Sequence, residues 1–485
     1  MGAEIPFRES FYLGLPSDFY KAAEPSPPPA PHWVVFNERL ARDLGLPQNS
    51  DTPDLLNLLS GGAPPDGDNI ALAYSGHQFG VWNPLMGDGR AVIVGEVAAP
   101  DGRIYDIHLK GSGPTPFARR GDGRATLSAM LREYLVSEAM AGLKIPTTRS
   151  LAVTATGAPV FRDGARPGAV LTRVARSHIR VGTFQYAAGR DAAEEQGPVR
   201  VRALADAAIL RHDPDLAQAE QPYLAFYRAV VARQASLIAQ WMLVGFIHGV
   251  MNSDNMAVSG ETIDFGPCAF MDSFNMRQVY SSIDAAGRYA YKNQPSIAQW
   301  NLARLAESFL PLFHDDEATA LRVAQEALAT FPTLYAQNLA AGLERKLGLR
   351  PGDPDNEPVF ALLWKTLGET RADFTNFFVR LTEIADGEDA APDEAWAPFM
   401  EAWRAGLEKN CRIEALAAMR AANPKIIARN HRVEQTLAAA NDGDLKPFHR
   451  LCAALRNPFE LAPADADLQA PPKPEEVVHE TFCGT

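Results

Sequence analysis

The residues best equipped for chemistry lie between Gly245 and Pro267, in the stretch GFIHGVMNSDNMAVSGETIDFGP. An apolar helical run is expected to end at Ile247, before a polar turn holding Asn252, Asp254 and Asn255. A short apolar segment and a Ser-Gly turn then lead to Ile263-Asp264-Phe265-Gly266. Hard cations take oxygen ligands, so two carboxylates and an amide across a tight hairpin can meet on one ion such as Mg²⁺. Asp and Asn in turns more commonly bond their own backbone. This stretch alone leaves both readings open.

The elements upstream must supply what such an ion would act on. Gly87-Asp88-Gly89-Arg90 reads as a turn before a strand from Ala91 to Val97, and Asp101-Gly102 as a hairpin turn into Arg103–Lys110. Tyr105, Ile107 and Leu109 alternate onto one face; Asp106, His108 and Lys110 take the other, where Lys110 can point into a cleft. A Gly-rich loop from Gly111 through Gly121-Asp122-Gly123-Arg124 opens a helix from about Ala125 to Leu143. Glu138 falls in line with its apolar stripe and Glu133 flanks it, and periodicity does not choose between them. Thr147–Val174 reads as further strands with turns at Thr156-Gly157 and Asp163-Gly164, leading to Arg173, Arg176 and Arg180.

Phosphate chemistry depends mainly on positioning and charge neutralisation. The glycine turn lets backbone approach an anion closely. Lys110 supplies a point charge that Glu133 can hold, and Arg173 and Arg180 can clamp oxygens in a fork. Asn255 and Asp264 can hold a divalent cation. Each feature is commonplace alone. Their order (glycine turn, strand Lys, helix Glu, metal loop, Asp-Phe-Gly) is that of protein kinases. Placing His248 on the His of the kinase catalytic loop puts Asn255 on the metal-binding Asn and Val250 on the catalytic Asp. Valine accepts no proton. Asp254 is the nearest carboxylate.

The bulk properties set the frame. With 485 residues, 46% hydrophobic and 22% charged, the chain has ample core material and an ordinary globular composition. A net charge of −13 argues against nucleic acid as the main partner while permitting a local basic pocket. Cys268, Cys411, Cys452 and Cys483 have no metal-ligand spacing, as suits a reducing cytoplasm. No secretory signal is read near Phe7, and Leu237–Val250 is too short and polar to span a bilayer, so a soluble, cytoplasmic protein is expected. An irregular, proline-rich start precedes a short helix from Asn37, capped by Asn37, to Leu44, and Gly61–Asp68 is a surface loop. After Arg180 the chain is mainly helical, with an acidic loop at Asp386–Glu394. The expected fold is α+β, with a β-containing lobe over 1–182 and a mainly helical lobe with a mobile tail over 183–485.

Longer blocks carry a resemblance. YSGHQFG (Tyr74–Gly80), MGDGRA (Met86–Ala91), HLKGSGPTPFARRGDGRATL (His108–Leu127), REYLVSEAM (Arg132–Met140), HGVMNSDNM (His248–Met256) and IDFGPCAFMD (Ile263–Asp272) resemble the selenoprotein O family of kinase-like proteins. The resemblance implies a protein-kinase-like fold that binds ATP in a flipped orientation and transfers AMP to Ser, Thr or Tyr hydroxyls of proteins, with Mg²⁺ or Mn²⁺. Position by position, it implies Lys110 and Glu133 as the ion pair and Gly87, Gly89, Arg90, Asp122, Gly123, Arg173 and Arg180 as nucleotide contacts. It implies Asn255 and Asp264 as metal ligands, Asp264 also beside the nucleotide, and Asp254 as proton acceptor. Animal members carry selenocysteine where this chain has Cys483, which implies a redox partner or disulfide there; the other three cysteines are expected to be buried packing residues. A kinase using Asp254 and a catalytically dead nucleotide-binding scaffold are the rival readings.

Overall fold

β-branched, alternating segments in the first third of the chain pair into one antiparallel sheet, because that composition suits a pleated, half-buried surface. A computed structural model describes residues 7–48, 53–62, 69–195, 197–387 and 394–482. Its strands in chain order begin with β1 (Tyr20–Ala22), β2 (His32–Phe36) and β3 (Ile70–Leu72). β4 (Gly76–Gln78) and β5 (Val81–Asn83) form a separate hairpin, followed by β6 (Ala91–Ala98), β7 (Ile104–Lys110), β8 (Ala125–Thr126), β9 (Arg149–Arg162) and β10 (Gly164–Ala175). The eight-stranded sheet runs β1-β3-β6-β7-β10-β9-β2, with β8 on β10.

Register places the charges. Leu171 of β10 and Ala91 of β6 both sit opposite Lys110, and Arg173 sits opposite His108. Directly opposed residues share a face, so Arg173, His108 and Lys110 look the same way. Ile107 and Leu109 point to the other side. They pack there into a core with Leu40 of α1 (Glu38–Asp43), which Asn37 caps, with Leu44 just after it, and with Leu55 and Leu58 of α2 (Pro53–Leu59).

On the charged face lies α3 (Leu127–Gly142), capped by Thr126, whose side chain accepts from Ala129 N. Twelve of its sixteen residues are buried, Glu133 and Glu138 both among them, which is why its periodicity was uninformative. Beyond the sheet the chain is helical: α4 (Val181–Glu194), α5 (Val199–His212), α6 (Pro222–Val244), α7 (Gln294–Phe313) and further helices to Gln469. The fold is α+β, an antiparallel sheet followed by many helices.

Four sequence expectations need correcting. The helix before the polar turn stops at Val244, because Gly245 adopts a left-handed φ of +70° and caps it. Phe246-Ile247 instead forms β11, paired with β12 (Ala269–Phe270). Thr156-Gly157 is not a turn between strands. β9 runs through it, and Gly157, at φ +73°, sits where the register with β10 shifts. Cys411 is exposed, whereas Cys268 and Cys452 are buried as expected. The tail, expected to be mobile, is seated at Thr481, whose N donates to Tyr280 O at 2.7 Å and whose hydroxyl donates to Pro267 O at 2.5 Å. Cys483 and most of the loops at Gly61–Asp68 and Asp386–Glu394 lie outside the described residues. Among the described residues no helix is long and apolar enough to cross a membrane.

Candidate active site

Between the sheet, α3 and the loops after β11 lies a cleft of about 820 Å³. Three cations and three carboxylates, Glu133, Asp264 and Asp88, occupy its floor. Lys110 Nζ lies 2.6 Å from Glu133 Oε2 and 2.8 Å from Asp264 Oδ1. Arg173 pairs with Glu133 and reaches Asp264 Oδ1 at 2.5 Å. Arg180, the residue before α4, donates from Nη1 to Asp264 Oδ2 at 3.0 Å and to Asp254 O at 2.8 Å. Asp264 is held there with φ +64°, an uncommon conformation for a non-glycine residue. Burial works against its charge, but Arg173, Lys110 and Arg180 outweigh it and keep the carboxyl well below its ordinary range. Burial opposes the charge of Glu133 too, and Arg173 and Lys110 lower its pKa.

Asp254 is in the opposite condition. It lies in a short 3₁₀ turn, Ser253–Asn255, with Oδ1 buried and unpartnered. Burial pushes its pKa up to about 7 against the pull of Arg180. The turn is braced from outside. Asn252 Oδ1 accepts from Phe79 N at 3.0 Å and Tyr289 Oη at 2.6 Å, and Ser253 Oγ accepts from His77 N at 2.8 Å. Asn255 Nδ2 donates to Val250 O at 2.9 Å. The β4–β5 hairpin thus presses on this turn, and a Cβ on Gly76 would come within 2.5 Å of Asp254 Oδ1.

The glycine turns line the cleft with their own packing demands. A Cβ on Gly87 would strike the Phe117 ring at 2.4 Å, and one on Gly123 would strike the Gly113 backbone at 2.1 Å. Glycine is therefore needed there to stack the two loops, whatever else they bind. Arg90 lines the same cavity. Asp122 stands at the mouth, its carboxylate held by Arg162 at 2.9 and 3.0 Å, away from the three floor cations.

α3 separates the two glutamates that periodicity left open. Glu133 faces Lys110. Glu138 faces the other way, accepting from Arg149 at 2.7 and 2.8 Å, Asn37 Nδ2 at 2.8 Å and Ser150 N at 3.2 Å. Glu138→Ala would leave the Arg149 guanidinium without its buried partner. It is expected to lower stability by about 3–5 kcal/mol, measured by denaturant unfolding, with the cleft floor around Lys110 unchanged. Arg132, which sequence reasoning missed, ties α3 to the Asp-Phe-Gly loop by donating to Gly266 O at 2.9 Å and Cys268 O at 2.7 Å. Asp88, also missed, is buried beside Arg180 and His108. Its signal was the MGDGRA block, in which only the glycines and Arg90 had been singled out.

A buried nest of fixed cations beside a buried, unpartnered carboxylate oxygen is chemically suited to an anionic, phosphate-bearing ligand. The family profile described as protein adenylyltransferase SelO matches residues 6–456. The chain is 51% identical over 498 residues to the protein nucleotidyltransferase YdiU of Bradyrhizobium sp. (strain ORS 278), covering all of both chains. Its identity to the protein of that name from Bacillus mycoides (strain KBAB4) is 49% over 483 residues and 98% of each chain. The chain belongs to the protein adenylyltransferase SelO family, and is a nucleotidyltransferase acting on proteins. The resemblance read from its sequence blocks is thereby borne out.

Proposed function

We propose that this chain transfers AMP from ATP to Ser, Thr or Tyr hydroxyls, on a protein-kinase-like scaffold of a sheet lobe (1–182) and a helical lobe (183–485) that binds ATP flipped relative to a kinase. The observation that carries this reading is the pairing of three cleft cations around Asp264 with the buried, unpartnered Oδ1 of Asp254 nearby. Lys110, Arg173 and Arg180 bind phosphate oxygens, with Glu133 orienting the first two. Gly87, Gly89, Arg90, Asp122 and Gly123 line the remaining nucleotide path. The acceptor hydroxyl attacks the α-phosphorus, its proton passes to Asp254, the bond to the β-bridging oxygen breaks, and pyrophosphate leaves.

The oxygen donors present fit a hard divalent cation. Asn255 and Asp264 both border the cleft. Among the described residues no three His, Cys, Asp or Glu form a self-sufficient cage, and Mg²⁺ typically needs only one or two protein ligands beside phosphate and water. Asn255 and Asp264 would hold Mg²⁺ or Mn²⁺, which when bound neutralises phosphate charge. Cys483 remains a candidate redox contact.

The test uses ATP labelled at either end. Label from the α-phosphate is expected on acceptor protein, with none from the γ-phosphate. Transfer of γ-label alone would establish the kinase reading in its place.

A further inference from the structure

We propose that Asp88, in the Gly87–Gly89 turn, is a positioning residue that holds Arg180 in place for the nucleotide's phosphates. This rests on the reading of Arg180 as a phosphate contact.

The argument begins with what happens to the floor when ATP arrives. Arg180 now spends Nη1 on Asp264 and on Asp254 O. If Asp264 turns to a cation, Arg180 loses its strongest partner at the moment it must grip a phosphate. Lys110 and Arg173 do not face that problem, because Glu133 holds both from behind. Arg180 has no contact with Glu133 among its hydrogen bonds or ion pairs in the described residues. Its second carboxylate is Asp88, whose Oδ1 lies 3.6 Å from Arg180 Nη2. The Tyr74 ring lies 4.7 Å from the guanidinium and adds a stacking surface.

Asp88 is built to stay where it is. It is 4% exposed, its Oδ2 accepts from Leu72 N at 3.3 Å, and its own N–H donates to Leu72 O at 2.9 Å. Thr115 Oγ1 donates to its carbonyl at 2.6 Å. Burial opposes ionisation, but the Arg180 guanidinium and the His108 ring beside it hold the carboxyl below its ordinary range. A permanent anion thus stands behind Arg180, as Glu133 stands behind Lys110 and Arg173. Besides Asp264, each of these cations thus has a carboxylate of its own, Glu133 for Lys110 and Arg173 and Asp88 for Arg180.

The test is a double-mutant cycle read as the Kd of ATP with Mg²⁺ by calorimetry. Asp88→Asn, which keeps shape and loses charge, is expected to weaken ATP about tenfold, and Arg180→Gln at least as much. The double variant is expected to be no weaker than Arg180→Gln, because a shared interaction is lost once. Additive losses would overturn the proposal while leaving Arg180 a phosphate contact. An unchanged Kd in Arg180→Gln would overturn that reading and the proposal together. Asp88→Ala supplies a readout that packing alone would not move: added formate is expected to restore ATP affinity in this variant and not in Arg180→Gln. Failure of formate to do so would also count against the assignment.

Discussion

Asp264→Ala is expected to abolish AMP transfer and, at the same time, to tighten the binding of ATP in the absence of metal. The two effects have different origins. Transfer fails because the principal anchor for a divalent cation is gone, and charge stabilisation by a metal is worth several kcal/mol, on the order of 10³-fold in rate. Binding improves because Asp264 and the phosphates compete for the same donors. In the ligand-free floor, Lys110, Arg173 and Arg180 face Glu133, Asp88 and Asp264, so charge is balanced among buried groups. Deleting Asp264 strands buried cations, which should lower the unfolding midpoint, and frees the donors it occupies, which should tighten the triphosphate by about an order of magnitude. Calorimetry with EDTA present measures the second effect and label incorporation at saturating Mn²⁺ the first. Wild-type rates with Mn²⁺ would refute the metal role. An unchanged EDTA affinity would show that the carboxylate does not compete for the cations.

How much of this floor could be read from the chain alone follows from how local each signal is. Alternation along β7 put Lys110 and His108 on one face, and the structure agrees, because a strand's two faces are set by its own residues. The pairing of Lys110 with Glu133 instead of Glu138 depends on what α3 packs against on both sides. A helix buried on nearly every face carries no stripe to read. The partners of Arg132, Asp88 and Asn252 are not legible for a related reason. They are 134, 92 and 173 residues away or sit on an unpredicted hairpin, so local pattern does not reveal them. Cys411 was assigned to the interior by residue type, yet it stands exposed just before a helix that begins at Arg412. Gly245 and Gly157 show the opposite lesson. Each was visible as a glycine, but only its left-handed conformation reveals a helix end in one case and a bulge in the other.

The base is the remaining question, because Val250 stands where a kinase has its aspartate. Val250 lines the cleft, and its carbonyl accepts from Asn255 Nδ2, which ties the two ends of the loop together. Asp254 is the residue proposed for the role: its turn is buttressed by the hairpin and by Tyr289, and its Oδ1 has no partner. Asp254→Ala is expected to slow AMP transfer by about 10²–10⁴-fold, the usual worth of a positioned general base, with ATP affinity preserved. Gly76→Ala offers an independent route to the same defect. Its methyl would stand 2.5 Å from Oδ1 and 3.1 Å from Cβ of Asp254, so the carboxylate must move although its chemistry is intact. A matching loss of rate in both variants, at unchanged ATP affinity, would locate the effect in the position of that one carboxylate. Val250→Asp, by contrast, should create no efficient kinase, since flipped ATP presents its α-phosphate to the acceptor. If Val250→Asp transferred γ-phosphate faster than AMP, a single missing carboxylate would be all that separates this site from a kinase, and the flipped orientation would have to be abandoned.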